Sequence, residues 1–143
     1  MSPLLALSIQ QPWADMIVRG VKTLELRDWE MKHRGPIALH TSRKVDFPTA
    51  YLYGYWRPWT LPLGRLVAVA EVMDVITFGP KSKATLLKEH RQLMPIQRGT
   101  YGIVLRNVRP VQPPIEFRGQ PLLFPLPNDI TQLVMERVAR SRQ

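Results

Sequence analysis

The sequence predicts a mixed α+β fold: a small β-barrel of roughly five to six strands flanked by short helices. Three observations predict it. Polar and apolar residues alternate with period two in TLELRDW (23–29), and HRGPIALHTSRK (33–44) continues the pattern. Glycine and proline, eight and fourteen in 143 residues, punctuate the intervals. Only short stretches carry a helical period. The length suits one domain over residues 1–143, with a C-terminal helix and basic tail at about 128–143.

The elements follow in order. Residues 4–9 read as a short apolar strand, and Pro12 then suits the first turn of a helix over 12–19, whose apolar face is Trp13, Met16 and Ile17. Gly20 can take the left-handed geometry that ends such a helix. In TLELRDW, Leu24 and Leu26 point one way while Glu25, Arg27 and Trp29 point the other. After a Gly35-Pro36 turn, HRGPIALHTSRK (33–44) continues as a strand that leaves polar residues at its end. DFPTAYLYGYWRPWTLP (46–62) has no persistent period and reads as an ordered loop or a short irregular helix. Gly64 introduces a long strand in which Glu71 is the exception, and residues 83–94 show a helical stripe. TYGIVLRNVRPV (100–111) is a strand, and PPIEFRGQPLLFPLP (113–127) a turn-rich closing one. Ile130, Leu133, Val134, Arg137 and Val138 fit one face of a last helix, with Asn128 or Asp129 near its start as a cap.

Composition narrows the classes. There is no cysteine, so disulfides and thiolate metal sites are excluded, and His33, His40 and His90 show no metal-ligand spacing. No cofactor is implied: a Gly-rich dinucleotide fingerprint, a phosphate loop and a zinc-protease motif are all missing. No stretch approaches the length of a membrane span and the N-terminus lacks a signal-like pattern, so a cytoplasmic protein without a membrane role is expected. The formal net charge is +9, and residues 51–143 carry most of it, thirteen basic against six acidic side chains. Such a balance favours a polyanionic partner, nucleic acid first among them, although a basic surface without a specific role gives the same count. The oligomeric state leaves no mark in the sequence.

LSIQQPWADMIVRGVKTLELRDW (7–29), followed by HRGPIALHTSRK, resembles the ASCH domain, a branch of the PUA-like superfamily. The likeness rests on a strand, a Q-P-W helix start, a G-x-K-T turn, a strand bearing an acid and an arginine, and then R-G-x-I-x-L-H-x-S. Later blocks extend it over residues 4–127. The resemblance implies a compact barrel with a cleft beside the first helix, where RNA, DNA or a modified nucleoside binds. It also implies an RNA-binding module tied to transcription coactivation or RNA processing, some of whose relatives are hydrolases. One hydrolytic branch removes an acetyl group from N4-acetylcytidine; its turn lysine matches Lys22, its threonine nucleophile matches Glu25, and its acidic partner falls near Glu89. A carboxylate cannot take over a hydroxyl's role in acyl transfer, so that chemistry does not carry across simply.

The candidate residues divide into two groups. Lys22, Glu25, His40 and Glu71 are the candidates for catalysis. Lys22 can be a phosphate contact, a proton donor of lowered pKa or an ordinary turn lysine, and Glu25 can activate water in a dry pocket or merely pair with Arg27. His40 is a general base or a satisfied buried histidine, and Glu71 needs a cation such as Arg27, Lys22 or His40 if it is buried. For nucleic-acid binding, with RNA favoured over DNA, the candidates are Gln11, Lys22, Arg27, Trp29, Ser42, Arg43, Lys44, Tyr53, Arg57 and Tyr101. Gln10 and Gln11 can read a base edge or serve a helix-start hydrogen bond, Trp29 can stack a base, and Arg43 with Lys44 can meet phosphate. Trp13 reads more readily as core. Two functions follow: a binding module for single-stranded or structured RNA with a basic, aromatic cleft, or a metal-independent hydrolase in that cleft. The latter would be a ribonuclease or an amidohydrolase-like enzyme acting on a modified nucleoside. An interaction adaptor with an incidental basic surface is the third possibility.

Overall fold

The computed structural model describes residues 2–78 and 100–141. Among these residues six strands form one sheet: β1 (Leu5–Gln11), β2 (Leu24–Arg27), β3 (Gly35–Val45), β4 (Arg65–Thr77), β5 (Tyr101–Glu116) and β6 (Leu123–Pro125). Their spatial order is β2-β5-β4-β3-β1-β6. Only the β1–β3 pair is parallel. Among the described residues three helices accompany the sheet, α1 (Trp13–Val18), α2 (Phe47–Leu52) and α3 (Asn128–Ser141), with a 3-10 turn at Pro58–Thr60. The helix expected over 83–94, and Glu89 within it, lie outside the described residues.

The mixed α+β class and the six strands stand, but the barrel does not. Closing a sheet needs its two edges to meet in a continuous ladder. Here the edges are the four-residue β2 and the three-residue β6, which among the described residues pair with β5 and β1 and not with each other. Pro121, Pro125 and Pro127 around β6 cannot donate to a further strand, so the sheet ends open there. The expected closing strand over 113–127 is divided: Pro113 to Glu116 finish β5, and a loop separates them from β6.

Alternation along β1 and β3 sends side chains into two cores. Leu7, Ile9, Ile37 and Leu39 join Ala14 and Ile17 of α1, whereas Ala6 and Ala38 join Phe124, Leu126, Val134 and Val138 at α3. Each buried Leu, Ile, Val or Phe among these contributes about 1.5–3 kcal/mol. Arg137 of α3 donates to the carbonyls of Pro113 (2.8 Å) and Pro114 (3.3 Å), so this cation of the C-terminal segment is tied to β5. The aromatic segment after β3 is a short helix because Asp46 caps it, accepting from the Thr49 amide at 3.2 Å and the Thr49 hydroxyl at 2.7 Å.

Candidate nucleic-acid interface

Gly20, at φ +76°, turns the chain out of α1, and the Met16 carbonyl accepts from the Val21 and Lys22 amides at 2.9 and 3.1 Å. That tight turn swings Lys22 inward, where it is only 3% exposed. Its Nζ donates to the Leu24 carbonyl, lies 3.3 Å from Glu25 Oε1 and sits 5.6 Å from the centre of the Trp13 ring. Arg27, two residues further along the same face of β2, closes on Glu25 from the other side: Nη2 to Oε2 is 2.9 Å, and the same nitrogen donates to the Ser8 carbonyl at 2.7 Å. The result is a cation–carboxylate–cation cluster at one edge of the sheet.

This cluster forms one wall of a cavity of about 500 Å³, lined by Ser8, Gln10, Trp13, Lys22, Glu25, Leu26, Arg27 and Ser42. Trp13 stands over Lys22, with Tyr53 tilted against it at 6.3 Å. The parallel β1–β3 register sets Ser8 beside His40, and Ser8 Oγ is 2.9 Å from His40 Nδ1. The other ring nitrogen of His40 lies 2.7 Å from the Phe117 carbonyl, which can only accept, so Nε2 carries the proton and Nδ1 accepts from the Ser8 hydroxyl.

Burial lowers the His40 pKa below its ordinary 6.5, an effect only partly offset by the Phe117 hydrogen bond. The unfolded chain therefore takes up a proton near pH 6.5 that the folded chain refuses. This contribution to stability is whole above pH 6.5 and is lost as the pH falls toward the folded value. The thermal unfolding midpoint is expected to fall between about pH 7.5 and 5.5, with a shallower fall in His40→Asn. Equal slopes in the two proteins would reject this role.

The remaining predicted residues scatter. Gln11 is 1% exposed and its amide is engaged structurally, donating to the Pro62 carbonyl (3.1 Å) and accepting from the Asp15 amide (2.9 Å). Trp29 lies beyond the end of β2 and packs, half-buried, against the core beneath α1. Glu71 is on β4 with Arg109 Nη2 at 3.9 Å, and it lines neither this cavity nor the one beside Arg43. Tyr101 opens β5 opposite Arg27 in the ladder, also outside the cavity lining. Ser42 reaches the cavity; Arg43, Lys44 and Arg57 are exposed around this side of the molecule or on the aromatic segment.

That segment is anchored by Tyr55, whose hydroxyl donates to Asp15 Oδ2 at 2.7 Å. Burial and this carboxylate push its pKa up to about 12. Around the anchor, Phe47, Tyr51, Trp56 and Trp59 are exposed. Gln10, read with Gln11 as an amide able to meet a base edge, lines the cavity, whereas Ser8 and Leu26 were not singled out by the sequence. For Ser8 the signal was present, since it alternates with the buried Leu7 and Ile9 along β1. Among the described residues, no group of three or more His, Asp or Glu side chains is placed to hold a metal ion, and no helix is long and apolar enough to cross a membrane.

The family model for the ASCH domain matches residues 7–115, more than half of the chain and the whole of the cluster just described. The chain belongs to the ASCH domain family. That family is associated in general with binding nucleic acid, RNA in particular. Among curated proteins, this ASCH chain is similar to activating signal cointegrator 1 of Homo sapiens and of Mus musculus, each 23% identical over 137 residues. The match takes in 88% of this chain but only 23% of either relative, so the chain spans about a quarter of their length. Among solved structures it is similar to the ASCH protein of Zymomonas mobilis, with a TM-score of 0.63, 16% identity and 94% of both chains covered. A point mutant of that protein gives 0.62, covering 94% of this chain and 97% of that one. At this identity the likeness shows the fold alone.

Proposed function

We propose that this ASCH chain binds single-stranded or structured RNA, seating one base in the cavity between Trp13 and the Lys22–Glu25–Arg27 cluster. The observation that carries the reading is the pairing of an aromatic wall with polar groups held rigid by mutual ion pairs. A base needs both a face to stack on and an edge to meet. Stacking on an aromatic side chain is worth about 1–3 kcal/mol per base. The exposed Phe47, Tyr51, Trp56 and Trp59 give neighbouring bases further platforms, and Arg43, Lys44 and Arg57 meet the backbone.

Fluorescence anisotropy on single-stranded RNA, duplex RNA and DNA at two salt concentrations tests this. Affinity for single-stranded RNA should be highest and fall as salt rises. Trp56→Ala with Trp59→Ala should weaken it about tenfold or more, because two stacking contacts are lost. Binding that ignores salt, or that survives both tryptophan changes undiminished, would remove the reading.

The second reading is a metal-independent hydrolase in the same cleft, acting on RNA or on a modified nucleoside. One contact favours it: the Ser8 hydroxyl beside the unprotonated His40 Nδ1, at the cavity wall. Products from the same incubations decide it. Turnover that disappears in Ser8→Ala while binding persists would support hydrolysis, and unaltered RNA and nucleosides would dismiss it.

A further inference from the structure

A second cavity, of about 640 Å³, adjoins the first and shares Ser8 and Ser42 with it. Its charged groups are Arg43, from the end of β3, and Arg118, from the loop between β5 and β6; Gln120 adds an amide and no Asp or Glu lines it. His40 lies at its floor and is neutral for the reason given above, so the two guanidiniums set the charge. Neither has an ion-pair partner among the described residues. In the first cavity the opposite holds, since Lys22 and Arg27 are both turned onto Glu25.

The second cavity is shaped by two close approaches. A Cβ at residue 64 would stand 3.2 Å from Arg43 Nε, so the missing side chain of Gly64 gives the Arg43 stem its course along the cavity. A Cβ at residue 119 would stand 2.6 Å from His40 Cε1 and 3.2 Å from Ser8 Oγ, so Gly119 lets the loop carrying Arg118 lie directly on the Ser8–His40 pair. Free guanidiniums in a cavity without acids meet phosphate oxygens through charge-assisted hydrogen bonds; cations already held by a buried carboxylate do so far less.

We propose that the second cavity is a phosphate subsite, taking the phosphate attached to the nucleoside held in the first, so that the unit recognised is a nucleotide. This rests on the base-cavity reading above for the nucleoside half only. The phosphate can be the terminal group of a mononucleotide or the phosphodiester of a strand.

Calorimetric titration compares the four ribonucleosides with their 5′- and 3′-monophosphates and with the dinucleotide CpC. At least one monophosphate or the dinucleotide should bind about tenfold or more tightly than its nucleoside. In Arg43→Ala with Arg118→Ala that ratio should fall to about one, whereas Arg106→Ala, which removes a charge elsewhere, should leave it intact. A gain confined to CpC identifies a strand phosphodiester, and one confined to a monophosphate identifies a terminal phosphate. Nucleosides that bind as well as every phosphorylated probe would overturn the subsite and leave the base cavity standing. An arginine-dependent gain with no measurable nucleoside binding would uphold the subsite and remove the base cavity. No binding by any probe would overturn both.

Discussion

Glu25→Ala is expected to cost about 3–5 kcal/mol of stability, measured by urea unfolding, because it breaks a buried ion pair from the side that leaves a cation behind. Lys22 is 3% exposed and Glu25 7%, so the Lys22 ammonium loses its carboxylate where it is itself largely desolvated. After the change Lys22 keeps, among the described residues, the Leu24 carbonyl and the face of Trp13. Lys22→Met should cost less, since Glu25 still has Arg27 at 2.9 Å and no buried charge is stranded. The double replacement Lys22→Met with Glu25→Leu should recover part of the loss, as buried ion pairs exchanged for apolar groups of like volume often do. A Glu25→Ala cost below about 1 kcal/mol would mean that the cluster behaves like a solvated surface pair, and the rigid polar edge of the base cavity would go with it.

Gly119→Ala is expected to destabilise the protein by about 1–3 kcal/mol, as overpacking does, and to disturb one particular hydrogen bond. The new methyl would meet His40 Cε1 at 2.6 Å, His40 Nδ1 at 2.9 Å and Ser8 Oγ at 3.2 Å. Nothing in that set is the loose end of a long side chain: His40 is 2% exposed and held at both nitrogens. The loop must lift, which hydrates the imidazole and brings its titration back toward 6.5. Following the His40 ring protons by NMR against pH checks this independently of stability. An unmoved titration with an unchanged unfolding midpoint would show that the loop does not lie on the histidine.

Part of the site was legible in a few residues. The alternation Leu24, Glu25, Leu26, Arg27 placed Glu25 and Arg27 on one face of a strand, and the structure pairs them there. The same alternation put Trp29 with them, but β2 stops at Arg27, and beyond the ladder the backbone no longer imposes a two-residue period. Glu71 was read as needing a cation of the cleft if buried; it is half-buried, and the cation near it is Arg109 across the β4–β5 pair, 3.9 Å away. Gln11 had two readings, and burial gives its amide to the start of α1 and to Pro62. Ser8 drew no notice because a lone hydroxyl in an apolar strand means little until its neighbour, thirty-two residues away, is known.

What the sequence by itself determined is local and compositional: the short helix between a proline and a glycine, the alternating strands, the family motif, and an excess of positive charge. These depend on the period of the backbone and on residue identity, both of which are written along the chain. Only the tertiary structure decided that the sheet stays open, that β1 lies parallel to β3 so that Ser8 meets His40, and which cations are spent. Lys22 and Arg27 share the one carboxylate of Glu25, whereas Arg43 and Arg118, seventy-five residues apart, face one cavity free of acids. Coulomb interactions and burial depend on distance in space, and a count of charges along a chain contains no such distances.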